Sequence, residues 1–254
     1  MRSRIGNRIA LALAAVLVAA APGCSSDSRS PSSNPAPSPT AAPAPPSTGD
    51  DWTFPYQPLW PFATAEQARS WQETAASAGH QPWHLDAETT ALGFTRDFLG
   101  FTEIDRVTSV EVVGDDAWVG VGYALPGSDR TATAAVLHLA RFGRGEDAPW
   151  EVVGTRDASL VVDTPRYGAV VTSPFSVGGE VTGVDESLRV EVRQVGREGR
   201  LGHVCCVPAG GERQRWQTQV EFTGAERAAM TVVVSTGGHV ADVERFAITA
   251  VRPG

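Results

Sequence analysis

The apolar positions of this chain fall into four regimes, and the changes between them predict its organisation. Residues 9–21 are all Ile, Ala, Leu or Val, preceded by Arg2, Arg4 and Arg8 and closed by Ala21-Pro22-Gly23-Cys24. Such a run is too short to span a bilayer, and with basic residues before it and small residues after it, residues 1–23 read as a signal peptide. Cys24 ends the apolar run and opens a polar one, which makes it the expected lipidation site of a lipoprotein. Ala21 stands where such signals usually carry Leu and Pro22 is unusual, so ordinary secretion with cleavage nearby is the alternative. The second regime, Ser25 to Asp50, holds only Ser, Pro, Ala, Thr, Asp, Asn, Arg and Gly. It cannot bury enough apolar surface to offset its ordering entropy, so residues 24–51 are expected to form a disordered or polyproline-like tether. As a flexible coil it would reach about 30 Å.

Aromatics return at Trp52, and the third regime runs to residue 163. Pro55, Pro58 and Pro61 make residues 52–62 an extended strap rather than a helix, with rings that cover an edge of the first domain or line a ligand-binding face. Thr64-Ala-Glu-Gln67 is a capping box, and Ala68, Trp71, Ala75 and Ala78 repeat at helical spacing up to Gly79. Asp86 caps a second helix with Ala87, Ala91, Phe94 and Phe98 on one face, Leu92 and Leu99 beside it, and a stop at Gly100. The period then drops to two. Strands are expected over 107–113, 117–125, 132–142 and 150–162, with short turns at Gly114-Asp115-Asp116, Pro126 to Asp129 and Gly143 to Asp147. Four strands in sequence form an antiparallel meander, and two helices supply a second layer. Residues 52–163 are therefore expected to form an α+β domain. In element order it resembles the cone-shaped folds of cystatins and nuclear transport factor, which often hold a pocket between helices and sheet.

The fourth regime, from Tyr167-Gly168 onward, reads as all-β. Leu188, Val190 and Val192 share one strand face, as do Trp216, Thr218, Val220 and Phe222, and further strands are expected at 169–183, 230–235 and 246–251. Residues 168–254 are expected to form an immunoglobulin-like sandwich. Ser173-Pro-Phe-Ser-Val-Gly-Gly-Glu-Val, the Leu188-Arg-Val-Glu-Val strand, the Trp216 strand and Phe246-Ala-Ile-Thr-Ala-Val resemble the immunoglobulin-like domain of bacterial spore-germination proteins. The resemblance covers residues 169–252 and implies an extracytoplasmic β-sandwich module. The Cys205-Cys206 pair and the charged Arg197-Glu-Gly-Arg200 segment depart from it.

Charge narrows the partners. The formal net charge is −8, and residues 1–23 carry three arginines and no acid, leaving −11 on the rest. Nucleic acid and anionic lipid headgroups repel such a surface. All 21 cationic side chains are Arg, so chemistry that depends on a P-loop or Schiff-base lysine is excluded; exclusive Arg use fits a GC-rich, actinobacterial-type genome. His80 and His84 have i,i+4 spacing, but Pro82 lies between them and both read as turn residues. His138 reads as a satisfied histidine within a strand. His203, Cys205, Cys206 and His239 lack a metal-site spacing, and no metal or other cofactor is expected. Outside the membrane Cys205 and Cys206 form a vicinal disulfide, or remain two thiols, one buried and one in a loop. Asp115-Asp116 and Asp185-Glu186 read as turn acids, and Arg189, Arg193, Arg213 and Arg215 as a solvated face, with an acidic-partner patch as the alternative.

No Gly-x-Ser-x-Gly, Gly-x-Gly-x-x-Gly or His-Glu-x-x-His motif is present, and no catalytic residue is assigned. The expectation is a membrane-anchored lipoprotein on the extracytoplasmic face, binding an envelope protein or cell-wall partner without catalysis. A small-ligand carrier or enzyme with a pocket in residues 52–163 is the alternative.

Overall fold

The computed structural model describes residues 55–254 apart from residues 77 and 80, and leaves undescribed the side chains of residues 75, 76 and 184–186. The signal run, Cys24, the tether, Trp52 and His80 lie outside the described residues. Two short helices precede ten strands, and the described part is mostly β.

Helix α1 spans Ala65–Trp71 and begins where the capping box places it. Thr64 Oγ1 accepts from the Gln67 N–H at 3.2 Å, and the Gln67 side chain accepts from the Ala63 N–H at 2.8 Å. Ala68 and Trp71 are buried, but the helix widens into a π turn at Gln72–Ala76, so Ala78 lies past its end and is exposed. Helix α2, Ala87–Gly93, is capped by Asp86, whose Oδ1 accepts from the Thr89 N–H at 2.7 Å. It too continues as a π turn, Phe94–Phe98, and buries Ala87, Ala91, Phe94 and Leu99.

Strands β1 (Arg106–Val113), β2 (Asp116–Ala124), β3 (Thr131–Arg141) and β4 (Trp150–Thr155) form a four-stranded antiparallel meander in sequence order. Gly114, at φ 61°, makes the tight β1–β2 turn that the Gly-Asp-Asp sequence predicts. The strap runs along β4: Leu59 N–H donates to the Val152 carbonyl at 2.9 Å, and Val152 N–H to the Trp60 carbonyl at 2.8 Å. The 150–162 segment is not one strand. It breaks at Arg156–Ser159, where Asp157 Oδ1 accepts from the Ser159 N–H and hydroxyl, and β5 (Leu160–Thr164) crosses into the second sheet. An Asp at this position competes for the backbone donors that would have continued the ladder.

The second sheet contains β5, β6 (Ala169–Val171), β7 (Phe175–Arg193), β8 (Gly202–Val220), β9 (Met230–Thr236) and β10 (Arg245–Pro253). Strands β7 and β8 are each 19 residues long. β8 follows one side of β7 throughout. On its other side β7 pairs first with β5, through Gly178 to Val181, and then with β9, through Arg189 to Arg193. The sheet therefore curls on itself, its inner face packed by Leu160, Val177, Val181, Leu188, Val190, Val192, Trp216 and Val220 against Met230, Val232 and Val234. Asp185-Glu186 falls within β7 rather than in a turn, because the strand expected to end at Gly183 continues through an irregular register. β6 pairs in parallel with β10, which makes the sheet mixed.

Every residue of β9 is buried, from Met230 to Thr236. Met230, Val232 and Val234 face the interior of the curl, whereas Val233, with Phe246, Ile248 and Ala250 of β10, faces the four-stranded sheet and α2. β9 is therefore buried on both faces, with Thr231, Ser235 and Thr236 buried beside its apolar residues. The core that joins α2, β2, β3 and β4 thus includes β9 and β10, and Thr155 Oγ1 accepts from the Ile248 N–H at 3.0 Å across the same junction. Because the two sheets share this layer, chemical denaturation should give one transition, with far-ultraviolet dichroism and tryptophan fluorescence coincident. Phe246→Ala should cost about 3–5 kcal/mol and lower both signals together. Two separated transitions would contradict a shared core.

Candidate functional site

Cross-strand register assembles a polar and aromatic row on the outer face of the first sheet. Glu111 of β1 pairs with Trp118 of β2, Trp118 with His138 of β3, and His138 with Gly154 of β4. Paired residues point to one face, so strands that alternate apolar-in and polar-out bring these four together. The Trp118 and His138 rings stack at 5.2 Å with 7° between their planes. His138 Nε2 lies 2.6 Å from Asp116 Oδ1; with a carboxylate accepting, Nε2 carries the hydrogen. Tyr56 of the strap meets the His138 ring edge-on at 4.8 Å. Its hydroxyl pKa is raised by burial and then by the neighbouring Asp116 charge. The Arg156 guanidinium lies over Trp118, 4.8 Å from the ring centre, and is fixed by Glu111 at 2.8 Å. At the end of the row, a side chain on Gly154 would meet nothing within 4 Å, so the face is open beside this glycine.

The same strap covers a second group of polar side chains that are buried. Glu151, on β4, is fully buried; its Oε2 accepts from the Phe62 N–H at 3.3 Å and its Oε1 has no partner among the described residues. Burial pushes its carboxyl well above the usual carboxylate range, and the single backbone hydrogen bond only partly opposes this. His84 sits in the 3-10 turn Pro82–Leu85, 3% exposed, against Phe62 at 4.9 Å, Trp83 at 3.6 Å and Trp71 at 4.8 Å. Burial lowers its pKa to about 4, so the ring is neutral. Its Nε2 meets Gln81 Oε1 at 3.1 Å, while Nδ1 and the Trp71 Nε1 have no partner among the described residues. Phe62 touches all three: its N–H bonds Glu151 and its ring packs on His84 and Trp71.

Among the residues singled out from the sequence, Cys205 and Cys206 are joined in a disulfide. They form a bulge in β8: Val204 pairs with Val190 and Val207 with Leu188, leaving two residues opposite Arg189, and Cys206 takes a φ of 68°. The bulge breaks the alternation that sends neighbouring strand side chains to opposite faces, and both cysteines are exposed. His239 is in the loop before β10, where its N–H donates to Glu244, and His203 pairs with Glu191 in the ladder. Among the described residues no group of three or more His, Cys, Asp or Glu is placed to hold a metal. Three of the arginines pair with carboxylates, Arg193 with Glu191, Arg213 with Glu180 and Arg215 with Asp163, while Arg189 donates to the Asp242 carbonyl. A groove of about 370 Å³ between residues 99–104 and β7 is lined by Arg189, Arg193 and Arg200 but also by Glu103, Glu191 and Asp242. Its charges balance, which does not single out an acidic partner.

Sequence reasoning passed over Glu151 and placed His84 in an ordinary turn. The signal for Glu151 was a lone acid in Trp150-Glu-Val-Val153, where the pattern calls for an apolar or solvated residue. No protein-family model matches the chain, and comparison with curated proteins and with solved structures finds no match.

The two buried groups give stability opposite slopes with pH. His84, with its pKa lowered, contributes stability that is complete above the ordinary histidine value of 6.5 and is lost as pH falls toward 4. Glu151, with its pKa raised, favours folding below the ordinary carboxyl value of 4.5, and that contribution is lost as pH rises through the folded-state pKa. Glu151→Gln keeps an acceptor for Phe62 and removes the proton. Its denaturation midpoint relative to wild type should rise as pH increases above the ordinary carboxyl value and level off once pH passes the folded-state pKa; a constant difference above pH 5 would show that Glu151 is ionised in the folded protein as it is in the unfolded chain.

Proposed function

We propose that this chain is a membrane-anchored extracytoplasmic lipoprotein of the cell envelope whose outer sheet face binds an envelope protein or cell-wall partner without transforming it. The apolar run before Cys24 and the Ser/Pro/Ala-rich stretch after it support the anchor and tether. The observation that carries the binding reading is the row Tyr56, Trp118, His138 and Arg156, open at its Gly154 end. Trp118 and the His138–Asp116 pair stand on paired strands, with Tyr56 of the strap and Arg156 just after β4 set against them, an arrangement rigid enough to recognise a surface. The polar atoms are engaged with one another: His138 with Asp116, and Arg156 with Glu111. That arrangement suits recognition better than proton transfer.

On the same reading, residues 52–163 are an α+β unit of two helices on the meander. Residues 168–254 are an immunoglobulin-like sandwich of the kind that accompanies spore-germination proteins. The antiparallel β8–β7–β9–β10 pairing and the shared face of Leu188, Val190 and Val192 support the sandwich. One observation favours the competing reading of a small-ligand carrier or enzyme, namely the unpartnered Oε1 of buried Glu151 beside the neutral His84. Against it, the opposite, α2-facing side of the meander is filled by Ala91, Phe94, Leu137, Leu139 and Val152.

The two readings separate in binding to isolated cell envelopes, measured with a Cys24→Ala chain so that the anchor does not contribute. Trp118→Ala and Arg156→Ala should each weaken retention about tenfold or more, with Glu151→Gln unchanged. Loss with Glu151→Gln alone would favour the interior reading, and equal retention by all three would defeat the outer-face proposal. In cells, Cys24→Ala should move the chain from the membrane fraction to the soluble one; if it stays membrane-bound, the anchor is elsewhere.

A further inference from the structure

Cys205 and Cys206 carry chemistry that neither the outer-face row nor the buried cluster uses. Their disulfide joins neighbouring residues, at a sequence separation of 1. A disulfide stabilises a fold chiefly by closing a loop of the unfolded chain, and its effect grows with the length of that loop. Here the loop is one peptide bond, so the cross-link has little unfolded-state entropy to remove and is a poor structural staple. Its surroundings agree. The ladder is intact on both sides of the bulge, with His203 on Glu191 and Val204 on Val190 before it, and Val207 on Leu188 and Pro208 on Ser187 after it. β8 pairs with β7 alone among the described strands, and both cysteines are exposed. What the bond holds is a local backbone conformation. Cys206 has a φ of 68°, in the left-handed region that a residue with a Cβ seldom adopts. The small ring closed by the S–S bond keeps it there, and opening the ring frees Cys206 to return to extended backbone.

We propose that Cys205–Cys206 is a reversible thiol–disulfide exchange site whose co-substrate is a dithiol, and that its redox state sets the conformation of the β8 bulge. A thiolate of the dithiol attacks one sulfur of the pair. An S–S bond forms between the two molecules, the Cys205–Cys206 bond breaks, and the departing sulfur leaves as a thiolate that takes up a proton. The second thiol of the dithiol, once deprotonated, attacks its own sulfur in the mixed disulfide and releases the other cysteine, which is protonated in turn. The pair gains two electrons and two protons, and the dithiol becomes a disulfide. The geometry selects a dithiol over a monothiol. A monothiol adduct on one cysteine is displaced by the thiol on the next residue, which restores the starting disulfide, whereas a dithiol resolves its adduct intramolecularly and carries the reduction to completion. The site stands apart from the lipid anchor and from the outer-face row.

The experiment uses the full chain with Cys24→Ala, which leaves the pair as its only cysteines, purified without reductant. Dithiothreitol or glutathione is added at equal thiol concentration under native conditions, free thiols are capped with a polyethylene glycol maleimide, and the labelled species are separated on gels. Before reduction the chain should take up no label. Dithiothreitol should expose both thiols in the folded protein, about tenfold more effectively than glutathione. Exchange into oxidised glutathione should restore the unlabelled monomer. On reduction, amide hydrogen exchange should quicken at residues 203–208 and stay unchanged in β9, with the same denaturation midpoint in both forms. Adding Cys206→Ser should trap the first step as a stable mixed disulfide between Cys205 and glutathione. The proposal is overturned if the purified chain takes up label without reductant, if reduction requires denaturant, or if glutathione matches dithiothreitol. It is equally overturned if reoxidation gives only cross-linked dimers, if exchange at the bulge is the same in both redox states, or if the Cys206→Ser chain takes up no glutathione. A denaturation midpoint lowered by reduction would make the bond a structural staple and defeat it as well.

Discussion

The architecture depends on β9 and β10 being buried on both faces. Met230, Val232 and Val234 close the curled second sheet, while Val233, Phe246, Ile248 and Ala250 close the core under α2 and the meander. A strand that serves two cores cannot leave either without exposing large apolar surface, at roughly 25 cal/mol per Å². This explains why β9 is buried along its whole length and why β5 can leave the meander's segment for the second sheet without separating the two. Contacts at the rim follow the same junction: Arg193 Nη1 donates to the Phe98 carbonyl at 3.0 Å, and Phe101 packs on Phe246 at 5.4 Å.

The strap is the second organising element, because it meets both faces of the meander. Trp60 packs with Trp83 and Phe94 on the α2 side, and Phe62 and Tyr56 pack with Ala68, Ala140, Phe142 and Val153 on the other. Tyr167 ties it down a second time, accepting from the Gln57 N–H at 2.8 Å. Gly93 shows how closely the parts fit: a Cβ there would lie 2.7 Å from the Trp60 ring. By covering Glu151 and His84 while leaving Trp118 and His138 partly open, the strap divides one sheet face into a buried polar cluster and an accessible row. Of the strap's rings, Phe62 lies over Glu151 and His84, whereas Tyr56 meets the His138 ring edge-on.

Much of the local structure is legible in the sequence. The two N-caps, the four meander strands and the shared face of Leu188, Val190 and Val192 follow from side-chain chemistry within a few residues, where physics is local. What misled was range. The break at Asp157 looked like the middle of a strand, and the bulge at Cys205-Cys206 looked like regular alternation, because each depends on which distant strand the chain must meet. Of the candidate site, His138 was identified as a satisfied strand histidine, but not the Asp116, Trp118 and Tyr56 that satisfy it. Their meeting is a matter of register, and register is set by pairing across turns.

The sequence by itself determined where helices start and which residues alternate, since these follow from spacing and from the solvation cost of each side chain. Only the tertiary structure decided that one apolar strand pair serves both cores, that a lone acid at position 151 is buried under a strap, and that Glu111, Trp118, His138 and Gly154 form one row. The physical reason is that these depend on contacts between residues far apart in the chain, whose free energy is settled by the packing of the whole molecule and not by any segment of it.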